Sequence, residues 1–153
     1  MALRPALETV AEEQGGVAVT VDVPDMTVLA DRELLRRIAV NLLDNSRKYG
    51  GREDISVRIS AERSGDTAVI VFADNGTGVP QEQLPRLFDV FYRGDAARTA
   101  PGNGSGIGLA VVKKSCDEMH GSVRAENGAD GDLRMIVTLP LAKKEANGEN
   151  TYH

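Results

Sequence analysis

From Asp54 to Arg63 the apolar residues Ile55, Val57, Ile59 and Ala61 alternate with polar neighbours, and from Thr67 to Ala73 the chain is almost continuously apolar. A period of two belongs to a strand with one buried face, whereas a short unbroken run belongs to a strand buried more deeply. Ser64-Gly65-Asp66 between them supplies turn chemistry, so the two segments form an antiparallel hairpin, its second strand the more buried. That second strand runs into an acid, Asp74.

The cover for this hairpin comes from helical patterns on either side. Leu3 to Gln14 places Leu3, Leu7, Val10 and Ala11 on one face and is stopped by Gly15-Gly16. Val17, Val19, Val21 and Val23 then alternate as a strand that Pro24-Asp25 ends, and Val28-Leu29-Ala30 reads as a second short strand. Asp31 caps a helix that runs to Tyr49 and is stopped by Gly50-Gly51. At roughly 100° per residue, Leu35, Ile38, Ala39, Leu42 and Ser46 share its core face. Asn41, Asn45 and Lys48 stack one turn apart on the flank. Two amide side chains and an ammonium held in a column suit a phosphate chain carrying a hard cation.

Downstream, Pro80 to Phe88 reads as a short helix made irregular by Pro85. Arg93 to Gly104 has no apolar period and reads as a mobile loop of about a dozen residues, long enough to suggest function. Ser105 to Met119 is helical, with Ile107, Ala110, Val111 and Ser115 on one face, and His120-Gly121 closes it. Ser122 to Glu126 and Leu133 to Leu139 form a last hairpin across Asn127-Gly128, and residues 142–153 read as a disordered tail after a single domain over 1–141.

Composition excludes several functions. A net charge of -5, with the 18 Lys and Arg residues scattered, offers no footprint for nucleic acid or for an anionic membrane. One cysteine, Cys116, rules out an intrachain disulfide and reads as buried packing, and two histidines give no zinc spacing. No apolar run approaches the ~18 residues of a membrane span and no signal peptide opens the sequence. If a parent protein is anchored in a membrane, its anchor is expected outside this stretch.

Two glycine-bearing segments carry the chemistry. In Asp74-Asn75-Gly76-Thr77-Gly78-Val79-Pro80 an acid at the end of a buried strand is followed by glycines that let a ligand approach the backbone, which describes a base pocket. Its carboxylate accepts from an exocyclic amine, so it suits adenine, which presents a donor at N6 where guanine presents an acceptor. In Gly102-Asn103-Gly104-Ser105-Gly106-Ile107-Gly108-Leu109 alternate glycines enter a helix, an arrangement whose amides can wrap an anion. Neither the Walker A nor the Rossmann spacing fits it.

In this order, the segments resemble the nucleotide-binding domain of sensor histidine kinases, in the superfamily shared with DNA gyrase, the Hsp90 chaperones and MutL. Asn41 to Tyr49 is similar to that family's N box, Asp74 to Gly78 to its G1 box, Leu87 to Gly94 to its F box and Gly104 to Leu109 to its G2 box. The resemblance implies an α/β two-layer sandwich, the Bergerat fold, with helices on one face of a mixed, mostly antiparallel sheet. It implies ATP and Mg²⁺ as ligands. Asn45 would give its amide oxygen to Mg²⁺, Asn41 and Lys48 would contact phosphate, and Tyr49 would pack on the adenine or ribose. Asp74 would accept from adenine N6, with Gly76 and Gly78 shaping the wall beneath it. Gly104, Gly106 and Gly108 would bind phosphates, Phe88 and Phe91 would anchor a lid from which either Arg93 or Arg98 reaches the nucleotide, and Val79, Ser105, Ile107 and Leu109 would complete the contacting set.

Two departures from the family stand out, Ser46 and a lid with few charged residues. Ser46 stands where the family usually has Ala, a small change on the core face that costs little if its hydroxyl bonds back to a carbonyl one turn earlier. Position 41 is Asn, where the ATPases and serine kinases of the superfamily carry a Glu general base. An amide cannot take a proton from water or serine, whereas a neutral imidazole needs no such help, which favours a histidine kinase. Neither His120 nor His153 lies in anything like the family's phosphoacceptor helix. The resemblance therefore implies a catalytic domain whose partners are the dimerisation and phosphoacceptor helices of a parent kinase and, indirectly, a response regulator. Such a domain would lie in the cytoplasm, its parent anchored in the bacterial inner membrane.

Overall fold

The computed structural model describes residues 1–51, 53–89 and 108–142. Helix α1 spans Leu3–Glu13, strand β1 Ala18–Asp22 and helix α2 Arg32–Tyr49. Strands β2 (Ser56–Ser64) and β3 (Thr67–Asp74), helix α3 (Gly108–Glu118), and strands β4 (Ser122–Asn127) and β5 (Leu133–Pro140) follow, with a 3₁₀ helix at Gln81–Arg86 between β3 and α3. The five strands lie in the order β1-β2-β3-β5-β4, with β1 parallel to β2 and every other pair antiparallel. The expected mixed, mostly antiparallel sheet is therefore present.

Strand parity decides what the helices cover. Ala68, Ile70 and Phe72 of β3 are buried and lie opposite Leu139, Val137 and Met135 of β5, while Phe72 also lies opposite Ile59 of β2. These residues share one core with Leu3, Leu7 and Val10 of α1, with Leu35, Ile38, Leu42 and Leu43 of α2, and with Val112 and Cys116 of α3. Val69, Val71 and Ala73 point the other way and are only half-buried. Asp74 continues the buried parity opposite Val57, so its carboxylate is delivered to the helical side of the sheet.

Helix α2 forms as its sequence dictates. The Asp31 carboxylate accepts from the Leu34 amide at 3.0 Å, satisfying one of the free donors of the first turn. Ile38 and Leu43 are fully enclosed. Ile38→Ala is expected to lower stability by about 2–5 kcal/mol through lost transfer energy and the cavity left behind. A urea melt would show this as a lower midpoint at unchanged slope, and an unchanged midpoint would take Ile38 out of the core.

Several expectations need correction. Val28-Leu29-Ala30 is not a strand; Val28 makes one isolated antiparallel bridge to Leu141. The Pro80 to Phe88 segment is a 3₁₀ helix over Gln81–Arg86, since Pro85 has no amide hydrogen to continue an α-helical ladder. On α3 the buried residues are Val112, Ser115 and Cys116, so the core face is centred one position beyond Val111. The closing hairpin turns over residues 128–132, with Asn127 still paired opposite Leu133 and the Gly128 amide donating to the Asp132 carbonyl at 2.6 Å.

At the end of α3 the left-handed residue is His120, at φ 59°, and the Gly121 amide donates back to the Cys116 carbonyl at 2.8 Å. Cys116 is enclosed as expected, and burial, with a smaller contribution from the Asp117 charge, pushes its thiol up to about 12. It stays protonated and unreactive at neutral pH. No helix among the described residues is long and apolar enough to cross a membrane. The predicted loop from Arg93 to Gly104, and with it Phe91, Arg93, Gly104, Ser105, Gly106 and Ile107, lies outside the described residues, as does the tail beyond 142.

Candidate functional site

The second half of α2 carries the polar column that its sequence predicts. Asn41, Asn45, Lys48 and Tyr49 are all half-buried. The Asn41 side-chain amide donates to the Arg37 carbonyl at 2.8 Å, which fixes the carboxamide against its own helix. Its oxygen faces α3: a Cβ added to Gly108 would stand 3.2 Å from Asn41 Oδ1. The first described turn of α3 and the polar flank of α2 therefore meet at Asn41, with Leu109 half-buried and packed on the core beside them.

Lys48 Nζ lies 3.1 Å from Asp44 Oδ2, and Arg47 lies 2.6 Å from Asp44 Oδ1. Partial burial pushes the Asp44 carboxyl up, but hydrogen bonds and charge from Arg47 and Lys48 outweigh it and hold the group below its ordinary value. Pairs this exposed contribute about 0–1 kcal/mol. A phosphate chain can draw Lys48 from Asp44 at little cost.

Asp74 is 6% exposed, and both its carboxylate oxygens are held by the protein. Oδ1 accepts from the Gly76 amide at 2.9 Å and Oδ2 accepts from the Ser46 hydroxyl, also at 2.9 Å. The expected back-bond from Ser46 to a carbonyl of its own helix is thus corrected. With Asp74 brought beneath α2 by strand parity, the hydroxyl meets a charged acceptor, which is stronger than a carbonyl already used in the helix.

The loop after β3 is closely packed at its glycines. A Cβ on Gly76 would stand 2.5 Å from the Gly50 carbonyl oxygen, and the Thr77 amide donates to that same oxygen at 3.1 Å. Gly78, at φ 70°, would drive a Cβ into the Gly131 carbonyl. Both glycines are thus demanded by protein packing, whatever they also offer a ligand. Asn127 then holds Val79 at both polar atoms, accepting from its amide at 3.2 Å and donating to its carbonyl at 2.7 Å.

Ser46 and Asn127 are the site residues that sequence reasoning passes over. A hydroxyl on a core face had to find a partner, which was the available signal for Ser46. Asn127 carried none beyond its place in a predicted turn. The structure brings Asp74 to Ser46 on the core face of α2 and Gly108 to Asn41 on its flank, with Asn45 one turn beyond Asn41 on the same helix. Phe88 lies apart from these polar contacts, half-buried against the core.

Whether the residues suit a cation is a question of donor chemistry. Among the described residues no group of three or more His, Cys, Asp or Glu could hold a metal by itself. A neutral Asn oxygen is a poor cage but a sound single ligand for Mg²⁺, which keeps waters and takes its remaining ligands from substrate phosphates. Asn45, half-buried on the polar flank of α2, has the donor chemistry for that part.

Comparison with known proteins agrees with this arrangement. The family described as "Histidine kinase-, DNA gyrase B-, and HSP90-like ATPase" matches residues 30–143. The signal transduction histidine-protein kinase BaeS of Escherichia coli (strain K12) is 36% identical over 132 residues, covering 84% of this chain and 27% of BaeS. This chain therefore spans little more than a quarter of that relative. Among solved structures, the mycobacterial sensor histidine kinase MprB superposes with a TM-score of 0.78 at 25% identity, covering 92% of this chain and 97% of that one. Full-length ShkA, solved in complex with AMPPNP, gives a TM-score of 0.76 at 26% identity, covering 93% of this chain and 30% of ShkA. With its open five-stranded sheet, its polar helix flank and a match over residues 30–143, the chain belongs to the histidine kinase-, DNA gyrase B- and HSP90-like ATPase family.

Proposed function

We propose that residues 1–141 form the ATP-binding catalytic domain of a two-component sensor histidine kinase, which donates the γ-phosphoryl group of ATP to a histidine on a separate phosphoacceptor domain. The observation that carries this reading is the buried Asp74 carboxylate, fixed by two donors, one of them Ser46 of α2, the helix that carries Asn41 and Asn45. A pre-oriented anionic acceptor in an enclosed site selects an amine-bearing base. The column of two amides and an ammonium on the same helix suits a polyphosphate. ShkA, a neighbour of the same fold, binds the ATP analogue AMPPNP, which supports the same ligand here.

Asp74 takes the adenine amine, Lys48 and Asn41 contact phosphate, and Asn45 holds Mg²⁺, which when bound neutralises charge on the phosphates. Tyr49 packs on the adenine or ribose, Gly76 and Gly78 shape the wall beneath it, Phe88 anchors the lid, Val79 and Leu109 complete the contacting set, and Gly104, Gly106 and Gly108 bind the phosphates. The carboxamide at Asn41 aligns but takes no proton. In transfer, a neutral imidazole nitrogen attacks the γ-phosphorus as the bond to the β–γ bridging oxygen breaks, ADP leaves, and the imidazole loses its other proton to solvent. The partners are the parent's dimerisation and phosphoacceptor helices and, through them, a response regulator. The domain works in the cytoplasm, where ATP is, with its parent anchored in the bacterial inner membrane.

Metal and base recognition separate in one variant. Asn45→Ala is expected to weaken MgATP roughly tenfold or more, the scale on which metal sites respond to loss of a supporting group, and to leave metal-free adenosine nearly unchanged. Titration calorimetry reads both. Equal losses for the two ligands would place Asn45 away from the metal.

A further inference from the structure

We infer that Ser46 is a positioning residue for base recognition: its hydroxyl locks the Asp74 carboxylate in the plane that accepts the adenine amine. The inference rests on the reading of Asp74 as the adenine acceptor. The torsion that turns a carboxylate about its last bond is broad and roughly two-fold, so an Asp held at one oxygen still swings. Asp74 is held at two. The Gly76 amide reaches Oδ1 from the loop that follows β3, and Ser46 reaches Oδ2 from α2, a different element. Ser46 is 8% exposed and Asp74 6%, so the contact is shielded from competing water.

The chemistry of the pair leaves acceptors for the ligand. An ionised carboxylate has about four lone-pair positions, of which the two donors use two. The hydroxyl spends its only proton on Asp74, so its own oxygen faces the site purely as an acceptor. Alanine at this position would leave the Gly76 amide as the sole donor from the described contacts, and the carboxylate would be free to turn. Ser46 sits one residue beyond Asn45, so the helix turn that presents the metal ligand also sets the angle of the base acceptor. Base and phosphate ends of the nucleotide are thereby referred to one rigid element.

The test compares ATP with purine riboside triphosphate, which has the same ring, sugar and phosphates but lacks the exocyclic amine. In the unsubstituted protein ATP binds more tightly. Ser46→Ala is expected to weaken ATP roughly three- to tenfold, less than the full value of a hydrogen bond to a charged group because the Gly76 amide still holds Oδ1, and to leave purine riboside triphosphate unchanged. A melting curve checks that the variant is folded, which removal of a single oxygen favours. In an Asp74→Asn background the same substitution is expected to add no further loss, because the group it positions is gone.

A merely structural role for Ser46 would lower both ligands together and would persist in the Asp74→Asn background. Either result, or an unchanged preference for ATP in Ser46→Ala, would overturn the inference alone. Absence of any preference in the unsubstituted protein would overturn the adenine reading and the inference with it.

Discussion

Asp74→Asn is expected to cost the protein at least tenfold in affinity for both ATP and ADP while its circular dichroism spectrum stays native. The substitution is nearly isosteric, and the two donors around position 74 explain why the fold survives it. An asparagine there can still accept from the Gly76 amide with its oxygen, and its NH₂ can donate to the Ser46 hydroxyl, whose oxygen is free to accept. What is lost is the anionic acceptor. A hydrogen bond to a charged group in an enclosed pocket is worth about 1.5–3 kcal/mol, and tenfold corresponds to about 1.4 kcal/mol. Calorimetric titration measures the loss directly. Unchanged affinity would remove Asp74 from base recognition, and a collapsed spectrum would show that the carboxylate serves the fold instead.

Much of this site was legible because it depends on local periods. The 3.6-residue period of α2 separates the enclosed Leu35, Ile38 and Leu42 from the flank of Asn41, Asn45 and Lys48, and the apolar run of β3 marks Asp74 as an acid ending a buried strand, although only the folded strand shows that Asp74 falls on the covered side. Two features of the site, however, depend on neighbours distant in sequence. Ser46 meets Asp74 across 28 positions, and Asn127 meets Val79 across 48, so no window along the chain contains either pair. The glycines illustrate the same limit. Gly76 and Gly78 signal a close approach in the sequence, but only the folded chain shows that backbone from Gly50 and Gly131 is what approaches. Val28 misleads for a related reason, since its apolar neighbours suit a strand but among the described residues its pairing is confined to an isolated bridge with Leu141 and backbone bonds to Met1.

The largest expected effect separates binding from turnover. This chain alone is expected to bind MgATP yet neither label itself nor hydrolyse ATP appreciably, because no described group at the polar column of α2 can act as a base toward water. Asn41, at the position where superfamily ATPases resemble one another in carrying Glu, has its amide nitrogen tied to the Arg37 carbonyl and offers only a non-basic oxygen toward α3. His120 cannot serve as acceptor either, being held in a left-handed turn at the far end of α3, the end remote from Gly108 and Asn41. Supplying the parent's dimerisation and phosphoacceptor helices in trans is expected to restore labelling, since the missing component is a nucleophile brought in line with the γ-phosphorus. Such positioning lowers a barrier by roughly 7–11 kcal/mol, the difference between undetectable transfer and a measurable rate. Incubation with γ-labelled ATP, followed by acid and base treatment, identifies the product: phosphohistidine is lost in acid and survives base. Appreciable hydrolysis by the isolated chain, at several turnovers per minute, would replace the kinase reading with an ATPase. An acid-stable phosphoserine on the added helices would replace it with a serine kinase, and would require a base other than Asn41.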